Sequence, residues 1–194
     1  MKGFLDWVTE IDEDILMLIN GSYNSSMDFI MALVSDRWIW IPFYLLLLYL
    51  LIKKTGVKKG LFYLLIIVLL IAVVDQTCAS LFRPLVGRLR PSSLDNPLSQ
   101  YIRIVNEHRG GSYGFPSAHA ANTFALATFL SLVFRNIYFT IILIAWASVV
   151  SYSRIYLGLH YPLDIIVGSL IGVAYAFIFY FVANYILTKM RYLR

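Results

Sequence analysis

The sequence contains a single cysteine, Cys78, and few charged side chains for its length. One cysteine excludes an intrachain disulfide. Lys, Arg, Asp and Glu together make up 14% of the 194 residues, whereas hydrophobic residues make up 60%. A soluble domain of this size cannot hide so much apolar surface in one core. The composition therefore indicates an integral membrane protein.

The chain also lacks internal repeats, low-complexity tracts and the pattern of a cleaved signal peptide. One early lysine, Lys2, is followed by acidic residues where the apolar part of a signal would begin. We therefore expect a single membrane-embedded domain over residues 1–194.

Long apolar runs are what the sequence has in abundance. About 20 helical residues, each rising roughly 1.5 Å, cross the hydrocarbon of a bilayer. Five stretches suit this length: residues 38–52, 61–82, 118–134, 137–152 and 163–188. The first can extend backwards through residues 29–34, with a break at Ser35, Asp36 and Arg37. The predicted fold is an all-α bundle of five or six membrane spans.

Residues 1–24 have a different pattern, which predicts a helix lying in the membrane interface. Apolar residues recur at helical spacing, and acids take the other positions. The apolar residues are Phe4, Trp7, Val8, Ile11, Ile15, Leu18 and Ile19, and the acids are Asp6, Glu10, Asp12, Glu13 and Asp14.

Basic residues are concentrated on one face of the predicted bundle. With five spans, that face carries Lys53, Lys54, Lys58, Lys59, Arg135, Lys189, Arg191 and Arg194, and no acid among them. The positive-inside rule assigns this face to the cytoplasm. The outer face then receives the N-terminal helix, the loop 83–117 and the turn 154–161. We interpret the lysines as orientation signals and expect no nucleic-acid partner.

Three separated stretches meet at that outer face, and they hold most of the unusual chemistry of the chain. They are RPLVGRLRP from Arg83 to Pro91, PSAH from Pro116 to His119, and SRIYLGLHYPLD from Ser153 to Asp164. Charged groups at membrane depth are costly and are functional candidates by default.

In the third stretch, Pro162 suits the first turn of the last helix, since its missing N–H has no partner to lose there. His160 then lies just ahead of the helix and Asp164 in its first turn. The carboxylate can hold one imidazole nitrogen and leave the other free as a nucleophile. A simple capping interaction explains this pair equally well.

In the second stretch, Ser117 suits the N-cap of a helix that begins near Ala118. The free amides of such a helix start bind anions, and His119 in the first turn can donate a proton to a leaving oxygen. Taken singly, Ser117 is explained by capping alone.

In the first stretch, Arg83 and Arg90 are separated by six residues that include Pro84 and Gly87, which allow the chain to fold back. One guanidinium group can donate two parallel hydrogen bonds to two oxygens of a phosphate. Snorkelling to lipid head groups is the alternative, and it suits Arg88 equally. Arg154 is harder to explain this way, because it ends a span that has no other charge. Arginines without matching acids imply an anion supplied from outside.

Taken together, the three stretches resemble the signature of the type 2 phosphatidic acid phosphatase superfamily, KxxxxxxRP, PSGH and SRxxxxxHxxxD. Ser153, Arg154, His160 and Asp164 match the third motif in full, and Arg83, Arg90 and Pro91 match the spacing of the first. The resemblance covers roughly residues 60 to 175. Arg83 replaces the usual lysine and Ala118 the usual glycine.

This resemblance implies a phosphohistidine mechanism. His160 would be the nucleophile, Asp164 its orienting carboxylate, and His119 the acid that protonates the leaving group and later activates water. Arg83, Arg90, Ser117 and Arg154 would bind the phosphate. No metal or other cofactor is expected, because Asp164 is the only carboxylate in the three motifs, too few for a two-metal clamp.

The implied function is a membrane lipid phosphatase that acts on a phosphomonoester or diphosphate head group at the outer face. The substrates that the resemblance offers are the 1-phosphate of lipid A, undecaprenyl diphosphate, phosphatidylglycerol phosphate and phosphatidic acid. Compact length and orientation fit a bacterial cytoplasmic membrane with the site on the periplasmic side. Residues 92–114, the loop before the second motif, can shape this choice, and oligomeric state is not encoded in any recognisable pattern. The alternatives are a transporter and a non-catalytic protein that binds lipid phosphates.

Overall fold

The structure is a computed structural model that describes residues 3–192, with side chains through Met190. Lys2 of the predicted interfacial helix and the predicted cytoplasmic charges of Arg194 and of the Arg191 side chain lie outside the described part. The all-α membrane fold predicted from the sequence is confirmed, since the described residues form helices joined by turns and loops.

The principal helices follow the apolar stretches of the sequence. They are α1 (Phe4–Gly21), α2 (Ser25–Ser35), α3 (Ile41–Thr55), α4 (Val57–Gln76), α5 (Arg83–Val86), α6 (Ala118–Phe134), α7 (Ile137–Tyr156) and α8 (Pro162–Tyr192). A 3₁₀ turn at Arg37–Trp40 leads into α3, and a π-helical turn at Thr77–Phe82 joins α4 to α5.

Helix α6 lies at the centre of the bundle and packs against α4, α7 and α8. Most of its residues are buried, including Ala121, Ala125 and Phe129. Such a helix has no single apolar stripe, because it is covered on nearly every side. The central position of α6 places its N-terminus, and therefore Ser117 and His119, in the middle of the outer end of the bundle.

Four helical segments in the described part of the chain are long and apolar enough to cross a membrane: Arg37–Thr55, Val57–Val86, Ile137–Tyr156 and Pro162–Met190. Helix α6, with 17 residues, is shorter. The total of five or six spans therefore stays a prediction. Large apolar side chains such as Leu45, Val68, Ile141 and Phe181 are exposed on the outside of the bundle, as lipid contact requires.

The helix predicted in residues 1–24 is present as α1, and a separate short helix, α2, follows it. Helix α1 ends at Gly21, and Asn24 caps α2 by accepting a hydrogen bond from the amide of Met27 at 2.8 Å. Along α1, Asp12, Leu16 and Asn20 form a buried face that packs toward α7 and α8. Asp12, which the sequence pattern counted among the acids between the apolar positions, is therefore buried, because i, i+4 spacing puts it in line with Leu16. The interfacial location of α1 stays a prediction.

The outer loop is shorter at its start than the predicted 83–117. The helix continues through Arg83 and Pro84, since proline fits the first turn of α5. It ends at Gly87, which has a left-handed backbone with φ of 63°. From there the chain runs irregularly to Ser117, and Leu89 pairs with Tyr113 across the loop.

Candidate active site

His160 lies on the turn between α7 and α8, and each of its two ring nitrogens contacts a side chain of the protein. Nδ1 lies 3.2 Å from Oδ2 of Asp164, and Nε2 lies 2.9 Å from Nη1 of Arg90. Because arginine can only donate, Nε2 carries the lone pair and Nδ1 carries the proton that goes to Asp164. The imidazole is 1% exposed. The predicted contact between His160 and Asp164 is present, and the lone pair of Nε2 is directed away from the carboxylate.

Asp164 also accepts a hydrogen bond at Oδ2 from the amide of Tyr161, at 3.1 Å. Helix α8 begins at Pro162, as predicted. The capping interaction and the histidine contact, which the sequence left as alternatives, therefore coexist in one carboxylate.

Three arginines surround His160. Burial, followed by the positive charges of Arg90, Arg154 and Arg83, lowers the pKa of His160 well below its ordinary value. Burial and the charge of Arg83 also lower the pKa of Arg90, to about 10, although Asp164 acts in the opposite direction. The site is therefore strongly electropositive and favours an anion.

Two of these arginines have donors that are not used by the protein. Nε of Arg83 and Nε of Arg154 are buried and have no hydrogen-bond partner among residues 3–192. Nη1 of Arg154 donates to the hydroxyl of Ser35, which fixes the guanidinium from the α2 side. Buried donors without acceptors are costly, and an anion with several oxygens would satisfy them.

The N-terminus of α6 faces the same region. Ser117 is fully buried and its hydroxyl accepts a hydrogen bond from the amide of Ala120 at 3.4 Å, so the predicted cap is present. The amide of Ser117 donates to the backbone carbonyl of Asp164 at 2.9 Å. This bond ties the second motif directly to the third.

His119 lines two cavities. One, of about 450 Å³, also contacts Arg154, Ser35 and His108. The other, of about 670 Å³, lies between α3 and α4 and is lined mostly by leucine, isoleucine and valine side chains, with Asp75 and Asn122 beside His119. A polar cavity and an apolar cavity thus meet at the first turn of α6.

The sequence did not predict two glycines that bring α6 and α8 into close contact. A Cβ atom on Gly168 would clash with the carbonyl of Ser117, and one on Gly172 would clash with the carbonyl of Ala121. Their four-residue spacing is the small-residue pattern of tightly packed membrane helices. That pattern was available in the sequence as a signal.

Arg88 is a second residue whose role the sequence left open. Instead of extending to lipid head groups, it donates from Nη1 to Oδ1 of Asp164 at 3.0 Å and from Nη2 to Oδ2 of Asp12 at 2.6 Å. Nothing in the spacing of the motifs points to Asp12, which precedes Arg88 by 76 residues.

The residues of the outer loop differ in what they contact. Gly114 packs on the site, since a Cβ there would lie 2.9 Å from Cγ of Arg90 and 3.5 Å from Nδ1 of His160. Arg109 donates to the carbonyl of Ser92 at 2.9 Å, which closes the loop on itself. Tyr101 and Glu107 are exposed.

This constellation defines a class of membrane phosphatases. The model of the PAP2 superfamily matches residues 59–187, and the chain belongs to that superfamily. It is therefore a membrane lipid phosphatase, and the alternatives of a transporter and of a non-catalytic protein are set aside. Among residues 3–192, no group of three or more His, Cys, Asp and Glu side chains is arranged to hold a metal ion.

Curated relatives resemble the chain over most of its length. A lipid A 4'-phosphatase from Bacteroides thetaiotaomicron is 42% identical over 187 residues, which is 96% of this chain and 83% of that protein. A lipid A 4'-phosphatase from Porphyromonas gingivalis is 33% identical over 168 residues, covering 87% of this chain and 71% of that protein.

The fold is also found among solved structures. The transmembrane PAP2-type phosphatidylglycerolphosphate phosphatase from Bacillus subtilis superposes with a TM-score of 0.68 over 97% of this chain and 90% of that chain, at 18% identity. At this identity the likeness establishes the fold alone.

Proposed function

We propose that this protein removes the 4'-phosphate of lipid A through a covalent phosphohistidine on His160. The observation that carries the catalytic part is the geometry of His160. Asp164 holds its Nδ1 at 3.2 Å, and its Nε2 lone pair is directed toward Arg90. A histidine fixed in this tautomer is prepared for nucleophilic attack.

In the first step, Nε2 of His160 attacks phosphorus and the bond from phosphorus to the lipid oxygen breaks. The leaving oxygen takes its proton from His119, which lies in the first turn of α6. The imidazole becomes positively charged as the P–N bond forms, and the carboxylate of Asp164 compensates that charge.

In the second step, water attacks the phosphorus of the phosphohistidine. His119, now neutral, accepts a proton from this water, and the electrons of the P–N bond return to His160. Inorganic phosphate leaves, and both histidines recover their starting protonation.

Charge on the equatorial phosphate oxygens is stabilised by Arg83, Arg90, Arg154 and the α6 N-terminus at Ser117. The buried Nε atoms of Arg83 and Arg154 support this role, because neither has an acceptor within residues 3–192. Arg90, whose Nη1 now donates to Nε2 of His160 at 2.9 Å, would transfer that hydrogen bond to a phosphate oxygen. This transfer frees the nucleophilic lone pair when substrate binds.

The substrate assignment rests on the relatives. Both are named lipid A 4'-phosphatases, and they cover most of the chain. The sequence suggested the 1-phosphate of lipid A among its substrates, and the names of the relatives favour the 4' position instead. Lipid A is a bacterial lipid, so we place the protein in the cytoplasmic membrane with the site on the periplasmic face, as the distribution of lysines suggests.

A substrate panel with the purified protein in detergent tests the proposal. The panel contains lipid A with both phosphates, undecaprenyl diphosphate, phosphatidylglycerol phosphate and phosphatidic acid, and His160→Ala is the control for contaminating phosphatases. We expect the highest kcat/KM on lipid A, with mass spectrometry showing loss of the 4'-phosphate and retention of the 1-phosphate. Preferential loss of the 1-phosphate, or faster turnover of another lipid, would contradict the substrate assignment.

A further inference from the structure

Asp12, Arg88 and Asp164 form a continuous chain of hydrogen bonds that connects the N-terminal helix to the site. Arg88 donates from Nη2 to Oδ2 of Asp12 at 2.6 Å and from Nη1 to Oδ1 of Asp164 at 3.0 Å. The two carboxylate side chains are 2% and 1% exposed, respectively. One guanidinium is therefore shared by two buried carboxylates that belong to different helices.

We propose that Asp12 and Arg88 are positioning residues that fix the carboxylate of Asp164 and, through it, the tautomer and orientation of His160. This inference rests on the proposed role of His160 as the nucleophile. The residue that contacts phosphorus is His160, whereas Arg88 acts on Asp164 and Asp12 acts on Arg88.

The geometry gives Asp12 a specific task. Asp164 uses Oδ2 for Nδ1 of His160 and Oδ1 for Arg88, so its two oxygens have separate partners. Arg88 is 22% exposed, so it borders solvent and could otherwise turn outward. The hydrogen bond from Nη2 to Asp12 keeps the guanidinium group of Arg88 in the plane in which Nη1 can donate to Asp164.

Two further contacts restrict this arrangement. The guanidinium of Arg88 lies 3.8 Å from the ring centroid of Tyr161, which fixes its plane by stacking. Oδ1 of Asp12 accepts a hydrogen bond from the amide of Leu163, at 2.8 Å. Leu163 is in the first turn of α8, where amides lack intrahelical acceptors, so Asp12 serves as a cap supplied by a distant helix.

The donors of Arg88 explain why the arrangement uses an acid on α1. Arg88 compensates the charge of Asp164, which is desolvated by its surroundings. Asp12 accepts the hydrogen bond from Nη2, the other half of the guanidinium, and keeps that donor from competing for phosphate. The family match begins at residue 59, so this contribution comes from a segment of the chain outside the matched region.

The Arg103–Asp28 pair is a matched control in the same molecule. Asp28 lies on α2, and its carboxylate accepts hydrogen bonds from Nη1 of Arg103 at 2.7 Å and from Nη2 at 2.5 Å. Like Asp12, it is an N-terminal carboxylate paired with an arginine of the outer loop. In the described part of the chain, Arg103 makes no hydrogen bond or ion pair with Asp164 or His160, so the loss of Asp28 tests for a purely structural effect.

The test compares Asp12→Asn, Arg88→Gln, their double variant and Asp28→Asn in purified detergent-solubilised protein. Asp12→Asn weakens the charge-assisted hydrogen bond between Arg88 and residue 12. If this bond supports the transition state, kcat should fall about 10-fold to 100-fold. We expect KM to stay within about twofold, the loss to be equal on lipid A and on p-nitrophenyl phosphate, and phosphoenzyme formation to slow by the same factor. A nucleophile defect is independent of the leaving group, unlike a defect in the acid.

The double variant is expected to be no slower than Arg88→Gln alone, because Asp12 acts only through Arg88. Asp28→Asn should keep kcat within about twofold, whatever its effect on thermal stability. The inference is overturned if folded Asp12→Asn has the wild-type kcat, if the two losses multiply, or if Asp28→Asn loses as much activity. If Asp12→Asn cannot be obtained in folded form, Arg88→Lys tests the inference in its place. A lysine cannot donate to two carboxylates in the planar geometry of a guanidinium, so the same loss of kcat is expected.

Parallel measurements on His160→Ala separate this inference from the proposed function. Phosphoenzyme that persists in His160→Ala overturns the proposed nucleophile and, with it, this inference. An inactive His160→Ala beside a fully active Asp12→Asn overturns this inference alone.

Discussion

Nη1 of Arg90 lies 2.9 Å from Nε2 of His160, on the side of the imidazole opposite Asp164. The lone pair proposed to attack phosphorus is therefore held by an arginine that we propose binds the phosphate. This arrangement orients the imidazole before substrate arrives.

Replacement of His160 and replacement of His119 should have different effects on turnover and on phosphoenzyme formation. His160→Ala is expected to abolish turnover and to leave no phosphoenzyme with any substrate. His119→Ala should lose a factor of roughly 100 to 10,000 on lipid A, the usual contribution of proton donation. That loss should shrink on p-nitrophenyl phosphate, whose leaving group needs little protonation. Rapid-quench trapping with labelled phosphate measures both, and equal losses of His119→Ala on the two substrates would remove its role as the acid.

The pH dependence follows from the lowered pKa of His160. Because burial and the nearby arginines lower this pKa, the imidazole stays neutral as the pH falls through its ordinary value of about 6.5. No decrease in kcat/KM from protonation of His160 is expected between pH 7.5 and 6. Arg90→Gln removes a positive neighbour and raises the pKa, so the acid limb should move to higher pH.

Arg135→Gln is the matched control for this pH profile. Arg135 donates to the hydroxyl of Tyr180 at the opposite end of the bundle, at 3.1 Å. Its loss should leave the acid limb unchanged. A limb that moves equally in both variants would indicate an effect of net charge and contradict the assignment to His160.

Activity is expected to survive EDTA and to be inhibited by vanadate. In the proposed mechanism, arginines and the α6 N-terminus supply the positive charge that a metal ion provides in other phosphatases. Vanadate adopts the five-coordinate geometry of phosphorus in transfer and should bind beside His160. Turnover that is lost on chelation and restored by magnesium would contradict the metal-free mechanism.

The contact between α6 and α8 should be sensitive to a single methyl group. Gly172→Ala places a Cβ against the carbonyl of Ala121, and overpacking of this kind typically costs about 1–3 kcal/mol. We expect a lower thermal midpoint and reduced turnover, since the contact holds α6, which carries His119, against α8, which carries Asp164. Gly111→Ala is the control, because no atom lies within 4 Å of the added Cβ. Equal stability of the two variants would contradict the role of this contact.

Membrane orientation can be measured by labelling with an impermeant thiol reagent. Asp95→Cys, an exposed position of the outer loop, should react from the periplasmic side, whereas Lys58→Cys, an exposed position in the first turn of α4, should not. The wild-type chain is the control, because Cys78 is buried. Labelling of Lys58→Cys alone from outside would reverse the proposed topology.

Much of the site was predicted by local rules. Pro162 at the start of α8, Ser117 as the cap of α6 and the His160–Asp164 contact each depend on residues a few positions apart. Helix geometry converts such short spacings into contacts without help from the rest of the fold. Apolar length likewise identified, among the five predicted stretches, the four that form helices long and apolar enough to cross a membrane.

Contacts between distant segments were not predictable in this way. The partners of Arg88, Asp12 and Asp164, each lie 76 residues away along the chain. No local pattern connects them to Arg88, so contact with lipid head groups remained an acceptable interpretation of this arginine. Asp12 was counted only among the acids between the apolar positions of α1, since periodicity gives the face of a helix and not what packs on that face. The four-residue spacing of Gly168 and Gly172 could have indicated a close helix pair, but not that α6 was the partner.

The sequence by itself determined the all-α membrane fold and the starts of α6 and α8, because each follows from composition or from spacing within about one helical turn. The candidate groups for the phosphatase chemistry came from the resemblance of three short motifs to a known family. Only the tertiary structure decided which charges face one another. Docking α1 against α7 and α8 puts Asp12 beside Arg88 and Arg88 beside Asp164. A buried carboxylate needs a compensating charge within hydrogen-bonding distance, and only the packing of helices sets that distance.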